Sequence, residues 1–193
     1  MSLKLKGIVI FFATGNVHKF NEARSVLSKQ GISVGMLRVK TVEIQSEDLT
    51  KIAAESARDA FSRCHLPIIV EDAGLFVEAV KGFPGPYAAY VYKTLGNAGM
   101  LKQMNGVKDR QAKFRSAIAY FDGKEERLFQ GEAQGEISLE ERKKNAKSAF
   151  GFDPIFQPEG SKKTFAEMTI EEKNQFSHRA KALNKFAEWY KAY

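Results

Sequence analysis

Hydrophobic and polar positions follow two different periods in the first third of the chain. β-Branched and aromatic residues predominate at positions 7–14, which is typical of a buried strand. Positions 19–30 instead carry apolar residues at helical spacing, and Gly31 follows as a typical helix end. The same alternation predicts a strand at 34–39, a helix at about 49–64, and a buried strand at 67–71 that ends at Asp72-Ala73-Gly74. Strands that alternate with helices predict an α/β sheet.

The pattern changes in the second half of the chain. Asp122-Gly123 lies between two strand-like runs and predicts a β-hairpin, and 131–138 could add a further antiparallel strand. Thr169 and Glu172 have the form of a helix capping box, and Ser177 precedes a periodic apolar run. We therefore predict an α/β fold with a mixed sheet and flanking helices. Because the chain has no internal repeat or linker, we predict one domain over residues 1–193.

Composition narrows the class of protein. The 193 residues allow a sizeable core without disulfides, and the single cysteine, Cys64, favours a reducing compartment. We therefore predict a cytoplasmic protein, and no apolar run approaches the ~20 residues that span a bilayer. The net charge of +7 would favour polyanionic partners. However, basic runs such as 142–144 are more often solvated loops than binding sites.

A loop suited to phosphate connects the first strand to the first helix. It offers backbone N–H groups at a helix start, a glycine, a hydroxyl group and a cation, which together suit a polyphosphate. Its residues are Thr14, Gly15, Asn16, Val17, His18 and Lys19, called here the 14–19 loop. The glycine motifs of Walker NTPases and of dinucleotide folds are absent from the sequence. Taken alone, the segment favours an ordinary turn with Asn16 as the helix N-cap.

Two acidic residues are candidates for metal binding. Asp72 follows the apolar strand Ile68-Ile69-Val70, and Glu43 lies between an extended stretch and the next helix. Magnesium prefers one or two carboxylates and is completed by water and substrate phosphates. If the strand continues, Glu71 faces away from Asp72. The alternative interpretation is that Asp72 caps a turn and that Glu43 is merely exposed.

A third group of residues lies towards the C-terminus. It combines aromatic rings and a carboxylate, which suit a nucleobase, with cationic donors at a predicted helix start, which suit a keto oxygen or a phosphate. Its members are Phe150, Gly151, Phe152, Asp153, Lys173, His178 and Arg179, called here the C-terminal set. The alternative is a core aromatic cluster with His178 and Arg179 at surface positions.

Taken together, these motifs closely resemble the inosine triphosphate pyrophosphatase family from about Ile10 to Phe186. The motifs are Thr14-Gly15-Asn16-x-x-Lys19-x-x-Glu22, Glu43, Asp72-Ala73-Gly74-Leu75, Gly82-Phe83-Pro84-Gly85-Pro86-Tyr87, Phe150-Gly151-Phe152-Asp153-Pro154, and Glu172-Lys173-Asn174 with Ser177-His178-Arg179. The resemblance implies an elongated mixed sheet with two lobes around a nucleotide cleft, usually in a homodimer. It also implies magnesium-dependent hydrolysis of ITP, dITP or XTP to the monophosphate and pyrophosphate, which removes deaminated purines from the nucleotide pool.

The resemblance assigns a role to each candidate residue. The 14–19 loop would bind phosphates, and Glu43 and Asp72 would bind magnesium, with one of the two acting as general base. Ala73 and the C-terminal set would complete the substrate pocket. Many family members have Ser or Thr where this chain has Ala73, so only the backbone N–H of that residue remains as a donor.

Two other functions compete with this assignment. The basic composition would allow a nucleic-acid-binding protein, but the sequence contains no recognised nucleic-acid motif. A related pyrophosphatase acting on modified pyrimidine nucleotides would share most of the motifs. We therefore expect a nucleotide-binding enzyme with no nucleic-acid partner and no membrane association.

Overall fold

A computed structural model describes residues 8–42, 44–143 and 150–193. These residues form seven strands and five α-helices. In chain order they are β1 (Ile8–Ala13), α1 (Val17–Lys29), β2 (Ile32–Leu37), α2 (Leu49–Cys64), β3 (Ile68–Val77), β4 (Pro84–Gly85), α3 (Ala88–Gln103), β5 (Gln111–Phe121), β6 (Glu126–Ile137), β7 (Phe156–Pro158), α4 (Ile170–Phe176) and α5 (His178–Ala192). Within the described ranges, no helix combines the length and the apolar character that crossing a bilayer requires.

All seven strands belong to one mixed sheet. Its order is β2-β1-β3-β5-β6-β7, and β4 pairs with β3 outside this path. Strand β1 is parallel to both β2 and β3, whereas β3 with β4 and β6 with β7 are antiparallel pairs. The predicted α/β class with a mixed sheet and flanking helices is therefore confirmed.

The polypeptide divides into two compact units. Unit 1 contains the described residues up to Asp72 together with 117–130 and 182–193, and unit 2 contains 73–116 and 131–181. Strands β3, β5 and β6 and helix α5 contribute residues to both units. The single cooperative domain over 1–193 stays a prediction.

Unit 1 is built from the parallel strands and the helices that follow them. Helix α1 buries Ala23, Val26 and Leu27, the apolar positions of the predicted helical period. The helix ends before Gly31, whose φ of 75° lies in the left-handed region that glycine adopts at low cost. At the other end of the chain, the Tyr190 hydroxyl of α5 donates to the carbonyl oxygen of Val9 in β1 at 3.3 Å. The C-terminal helix is thereby tied to the first strand.

Unit 2 has its own hydrophobic core. The Arg110 guanidinium donates hydrogen bonds to the carbonyl oxygens of Met104, Ile137 and Ser138 at 2.6 to 2.8 Å, which links β5 to the ends of α3 and β6. The core residues include Leu75, Val77, Val91, Met100, Phe114, Phe152, Ile155, Phe156, Phe165 and Met168. Several of them come from the segments that carry the C-terminal set, so packing in this unit supports the candidate site.

Strand β3 is longer than the sequence predicts. The prediction ended the strand at Asp72-Ala73-Gly74, but the ladder continues to Val77 because Leu75 and Phe76 pair with Gly85 and Pro84 of β4. Gly74 is therefore not a stop signal. A Cβ built on it would lie 2.4 Å from the carbonyl oxygen of Gly85, so glycine permits the close approach of β4.

The segment 131–138 is also not a separate strand. It continues from 126–129 as the single 12-residue strand β6. A Cβ on Gly135 would lie 2.3 Å from the carbonyl oxygen of Gln157 in β7, so this glycine again permits close pairing and does not interrupt the strand.

Candidate active site

The 14–19 loop joins β1 to α1 and is organised by its own side chains. The Asn16 carboxamide oxygen accepts hydrogen bonds from the backbone N–H groups of His18 and Lys19 at 3.0 and 3.1 Å. The Asn16 N–H in turn donates to the Thr14 hydroxyl oxygen at 3.1 Å. The predicted N-cap role of Asn16 is thus confirmed. Two of the N–H groups at the start of α1 are already satisfied within the protein, so they are not free donors.

Space for a ligand lies beside Gly15. Apart from Gly15 and its two chain neighbours, no described residue places an atom within 4 Å of the position that a Cβ on Gly15 would occupy. The first helical residue, Val17, is exposed. A phosphate group could therefore approach the backbone of the loop closely, as phosphate-binding loops at helix N-termini require.

The Lys19 ammonium group contacts one residue at two points. Its Nζ atom lies 2.8 Å from Oε2 of Glu71 and donates to the backbone carbonyl oxygen of the same residue at 3.2 Å. The side chain of Lys19 is 19% exposed and that of Glu71 is 1% exposed. The sequence did not predict this pair, because side-chain alternation indicates only that Glu71 faces away from Asp72. Its one signal was that Lys19 follows one predicted strand and Glu71 ends another, and that the alternating pattern places both strands in the same sheet.

Asp72 lies within β3, directly after Glu71, and is partly exposed. Its partner in the predicted metal site, Glu43, lies outside the described residues, so the pairing stays a prediction. Within 8–42, 44–143 and 150–193, no group of three His, Cys, Asp or Glu residues is arranged to hold a metal ion. Magnesium needs only one or two carboxylates when substrate phosphates complete its shell, so the partly exposed Asp72 suits such a site.

A buried ion pair lies at the centre of the C-terminal set. Asp153 begins a short 3-10 helix, and its Oδ2 atom accepts a hydrogen bond from Nζ of Lys173 in α4 at 2.5 Å. The two side chains are only 7% and 6% exposed. The Lys173 ammonium also lies over the rings of Phe165 and Phe150, at 5.2 and 5.8 Å from their centroids. Burial of two charges is costly unless they are paired, so each of these residues depends on the other.

His178 and Arg179 begin helix α5, as predicted from Ser177. The Ser177 hydroxyl accepts a hydrogen bond from the N–H of Ala180 at 3.1 Å, which is an N-cap contact. Both His178 and Arg179 are 2% exposed, so the alternative that they occupy surface positions is wrong. Such deep burial of two basic side chains is unusual without a specific role or set of partners.

Aromatic rings pack against His178 within unit 2. The His178 ring stacks on Phe114 of β5 with a centroid separation of 4.7 Å and an interplanar angle of 11°. Phe152 belongs to the core, where Tyr92 meets it edge to face at 5.6 Å, whereas Phe150 is partly exposed. The core interpretation thus holds for Phe152, and Phe150 has the accessible ring. The sequence missed Phe114, because only the tertiary fold brings it to His178.

Gly151 and Ala73 complete the predicted substrate contacts. Gly151 has a φ of 54°, and, apart from its two chain neighbours, no described residue has an atom within 4 Å of a Cβ built on it. Ala73 follows Asp72 in β3 and is partly exposed. Glycine therefore supplies both a left-handed turn and open space beside Phe150.

Comparison with known proteins identifies the family. A family model described as the Ham1 family matches residues 10–189 of the chain. The chain belongs to the Ham1 family. A Ham1 protein from Staphylococcus aureus superposes with a TM-score of 0.79 at 27% identity, covering 95% of this chain and 98% of that one. A HAM1 protein from Coxiella burnetii gives a TM-score of 0.81 at 27% identity, covering 96% and 100%.

Several relatives of this Ham1 chain have named activities. The dITP/XTP pyrophosphatase of Methanopyrus kandleri is 48% identical over 183 residues, which cover 94% of this chain and 96% of the relative. The dITP/XTP pyrophosphatase of Thermococcus kodakarensis is 49% identical over 180 residues, covering 93% and 96%. The resemblance that the motifs predicted is thereby confirmed at the level of the family.

Proposed function

We propose that this Ham1-family chain is a nucleoside triphosphate pyrophosphatase acting on the non-canonical purine nucleotides ITP, dITP and XTP. The products are the nucleoside monophosphate and pyrophosphate, and the reaction clears deaminated purines from the nucleotide pool. The observation that carries the proposal is 48–49% identity, over more than nine-tenths of the chain, to relatives named dITP/XTP pyrophosphatase. The open space at Gly15 and the buried polar residues of unit 2 support it.

The 14–19 loop is proposed to bind the phosphates. Gly15 lets a phosphate approach the backbone, and Lys19 supplies positive charge. Thr14 and Asn16 act mainly by holding the loop, because their side chains accept hydrogen bonds from its own backbone. His18 and Val17 contribute through their position at the start of the helix.

Asp72 and Glu43 are proposed to bind Mg²⁺, and Asp72 is the proposed general base. When bound, the metal ion would offset phosphate charge at the reacting phosphorus. Asp72 takes the proton of a water molecule as its oxygen attacks the α-phosphorus and the bond to the pyrophosphate oxygen breaks. Partial exposure gives the Asp72 carboxylate access to that water. Lys19 donates a hydrogen bond to the departing pyrophosphate.

The C-terminal set is proposed to recognise the base. His178 and Arg179 would donate to the 6-keto oxygen that distinguishes hypoxanthine and xanthine from adenine, and the Phe150 ring would stack on the base. The Lys173 charge is already neutralised by Asp153, so its proposed role is to orient that carboxylate. A site that forms specific hydrogen bonds with one group discriminates strongly against nucleotides that lack it.

A panel of nucleotides tests this function. Incubation with Mg²⁺ and with ITP, dITP, XTP, ATP, GTP or modified pyrimidine triphosphates is followed by measurement of pyrophosphate and orthophosphate. We expect kcat/KM for ITP, dITP and XTP to exceed that for ATP by about 100-fold or more, with pyrophosphate as the product. A preference for modified pyrimidines would support the related pyrophosphatase instead. Release of orthophosphate, or no hydrolysis at all, would contradict the proposal.

We also propose that the protein is a cytoplasmic homodimer. Unit 2 exposes Phe83, Tyr87, Tyr90 and Leu95 on one segment, and clustered exposed apolar residues often mark interfaces. Light scattering should give twice the 21.6 kDa chain mass, and Tyr90→Asp should shift the protein towards that monomer mass. The matched control is Leu139→Asp, which changes another exposed apolar residue. A wild-type protein of monomer mass would reject this part of the proposal.

A further inference from the structure

Glu71 has a buried carboxylate and lies between two parts of the candidate site, the 14–19 loop and Asp72. It directly precedes Asp72 in β3, and its side chain is 1% exposed. Its ion pair with Lys19 links residues that are 52 positions apart in the chain. Neither the proposed reaction nor the motif resemblance assigns a role to this side chain. Because burial of a carboxylate is costly without a counter-charge, the Lys19 ammonium group at 2.8 Å stabilises the charged form of Glu71.

The hydrogen bonds of Lys19 also leave it able to act on a ligand. A lysine ammonium group has three N–H donors. One of them is donated to the backbone carbonyl oxygen of Glu71, and the ammonium group also lies within ion-pair distance of the Glu71 carboxylate. In the part of the chain that the structure describes, both contacts of this ammonium group are to Glu71, and only one of them is a hydrogen bond. One donor of a firmly held ammonium group therefore remains for a phosphate oxygen.

The hydrogen bond from Lys19 to the Glu71 carbonyl oxygen also restrains Asp72. The carbonyl carbon of Glu71 is bonded to the nitrogen of Asp72, and this peptide group is planar. A hydrogen bond from Lys19 to the oxygen of that group therefore restrains the backbone on which Asp72 is carried. Lys19, the proposed phosphate-binding cation, and Asp72, the proposed general base, are therefore both held in place through Glu71.

We propose that Glu71 is a positioning residue that holds the Lys19 ammonium group against the strand carrying Asp72. A free lysine side chain samples many rotamers, and ordering it costs conformational entropy. If the side chain is held in place before the substrate binds, the reaction does not bear this entropic cost. Glu71 also balances the charge of Lys19 in the resting enzyme, so that attraction for the triphosphate ground state is limited. This inference rests on the proposed function, because it assigns Glu71 a part in that reaction.

The first test is the Glu71→Gln variant, which keeps the size of the side chain and the backbone carbonyl but removes the charge. Pyrophosphate release from dITP is measured at saturating and limiting substrate. We expect kcat to fall about 30-fold while KM stays the same or decreases, because misplacement of a catalytic group acts mainly on the transition state. An unchanged kcat accompanied by a lower Tm would overturn the inference, since the ion pair would then be structural only.

A double-mutant cycle tests whether Glu71 acts through Lys19. The variants are Glu71→Gln, Lys19→Met and the double variant, in which neither partner is charged and no buried carboxylate is left unpaired. We expect Glu71→Gln to change the kcat of Lys19→Met by less than about twofold, because the group that it positions is already absent. If kcat of the double variant were reduced by the product of the two single-variant factors, the inference would be overturned.

If Lys19→Met alone fails to fold, Glu71→Asp decides the question. It keeps the negative charge on a side chain one methylene shorter, so it should retain part of the contact. We expect its kcat to exceed that of Glu71→Gln by at least about threefold. Equal rates for the two variants would overturn the inference.

The chain offers a matched control pair in unit 2. Lys113 and Glu78 form an ion pair with the same 2.8 Å separation, but their side chains are 22% and 47% exposed and neither residue has a predicted role in the site. Glu78→Gln should leave kcat and KM within about twofold of wild type, because exposed pairs contribute little. An active wild type with an unaffected Glu71→Gln variant rejects only the role of Glu71. A wild type that releases no pyrophosphate from any triphosphate rejects both this inference and the proposed function.

Discussion

Asp72→Asn is expected to reduce kcat for dITP hydrolysis by about three orders of magnitude while the protein remains folded. General base catalysis alone contributes about 10²- to 10⁴-fold, and an amide cannot accept the proton of the attacking water. The same substitution weakens a proposed Mg²⁺ ligand, which adds to the loss. The amide has nearly the same volume as the carboxylate, and the residue is partly exposed within β3, so the strand should be preserved.

Pyrophosphate release under single-turnover conditions measures this loss directly. Asp109→Asn is the matched control, since Asp109 is an exposed aspartate that accepts a hydrogen bond from the Gln111 N–H, as asparagine also can. A Tm close to wild type would show that both variants are folded. Near-normal turnover of Asp72→Asn would remove Asp72 as the base. A larger loss in Glu43→Gln, with loss of the acidic limb of the pH profile, would assign the base to Glu43.

Asp153→Ala should lower the free energy of unfolding by about 3–5 kcal/mol. Asp153 and Lys173 form a buried ion pair, and removal of one partner leaves the other charge uncompensated in a site of low polarity. For a chain of this size, each kcal/mol lowers Tm by about 2–4 °C, so a decrease of about 10 °C is expected. Activity on dITP should fall as well, because Asp153 belongs to the set proposed to bind the base.

Thermal unfolding of three variants separates stability from function. The double variant Asp153→Ala with Lys173→Met removes both charges and should regain most of the Tm without regaining activity. Glu141→Ala breaks the exposed Lys143 pair and should change stability by only about 0–1 kcal/mol. If Asp153→Ala unfolds at the wild-type temperature, the ion pair is not buried in solution.

Local signals were sufficient to predict the helices of unit 1. The predicted helix at 49–64 coincides with α2, because most of its apolar positions are buried on one side and Asp48 caps its start. The strands were harder to predict, because their ends depend on partners. Gly74 resembles a turn signal in sequence, yet β4 pairs across it and extends β3 to Val77. The hydrophobic pattern along a strand indicates which face is buried, but it does not indicate how far the adjacent strand pairs with it.

In the candidate site, too, the sequence predicted the types of residue but not the contacts between them. The sequence indicated that Lys19 and Lys173 were cations in nucleotide-binding motifs. It could not indicate that each would be paired, Lys19 with Glu71 and Lys173 with Asp153. Those contacts join different elements of the chain, and no local pattern encodes them. They alter the chemistry, because a paired lysine acts as an oriented donor and no longer as a free positive charge.

The close approach of β4 to Gly74 also bears on sequence design for this family. Design by strand propensity would replace a glycine inside a strand with valine or alanine, since glycine is unfavourable there on average. At Gly74 the added carbon would meet a backbone oxygen at 2.4 Å, and backbone cannot rotate aside as a side chain does. The displacement would arise two residues from Asp72. A substitution intended to rigidify the scaffold would therefore disturb the residue on which the chemistry is proposed to depend, and a useful design would keep this position fixed.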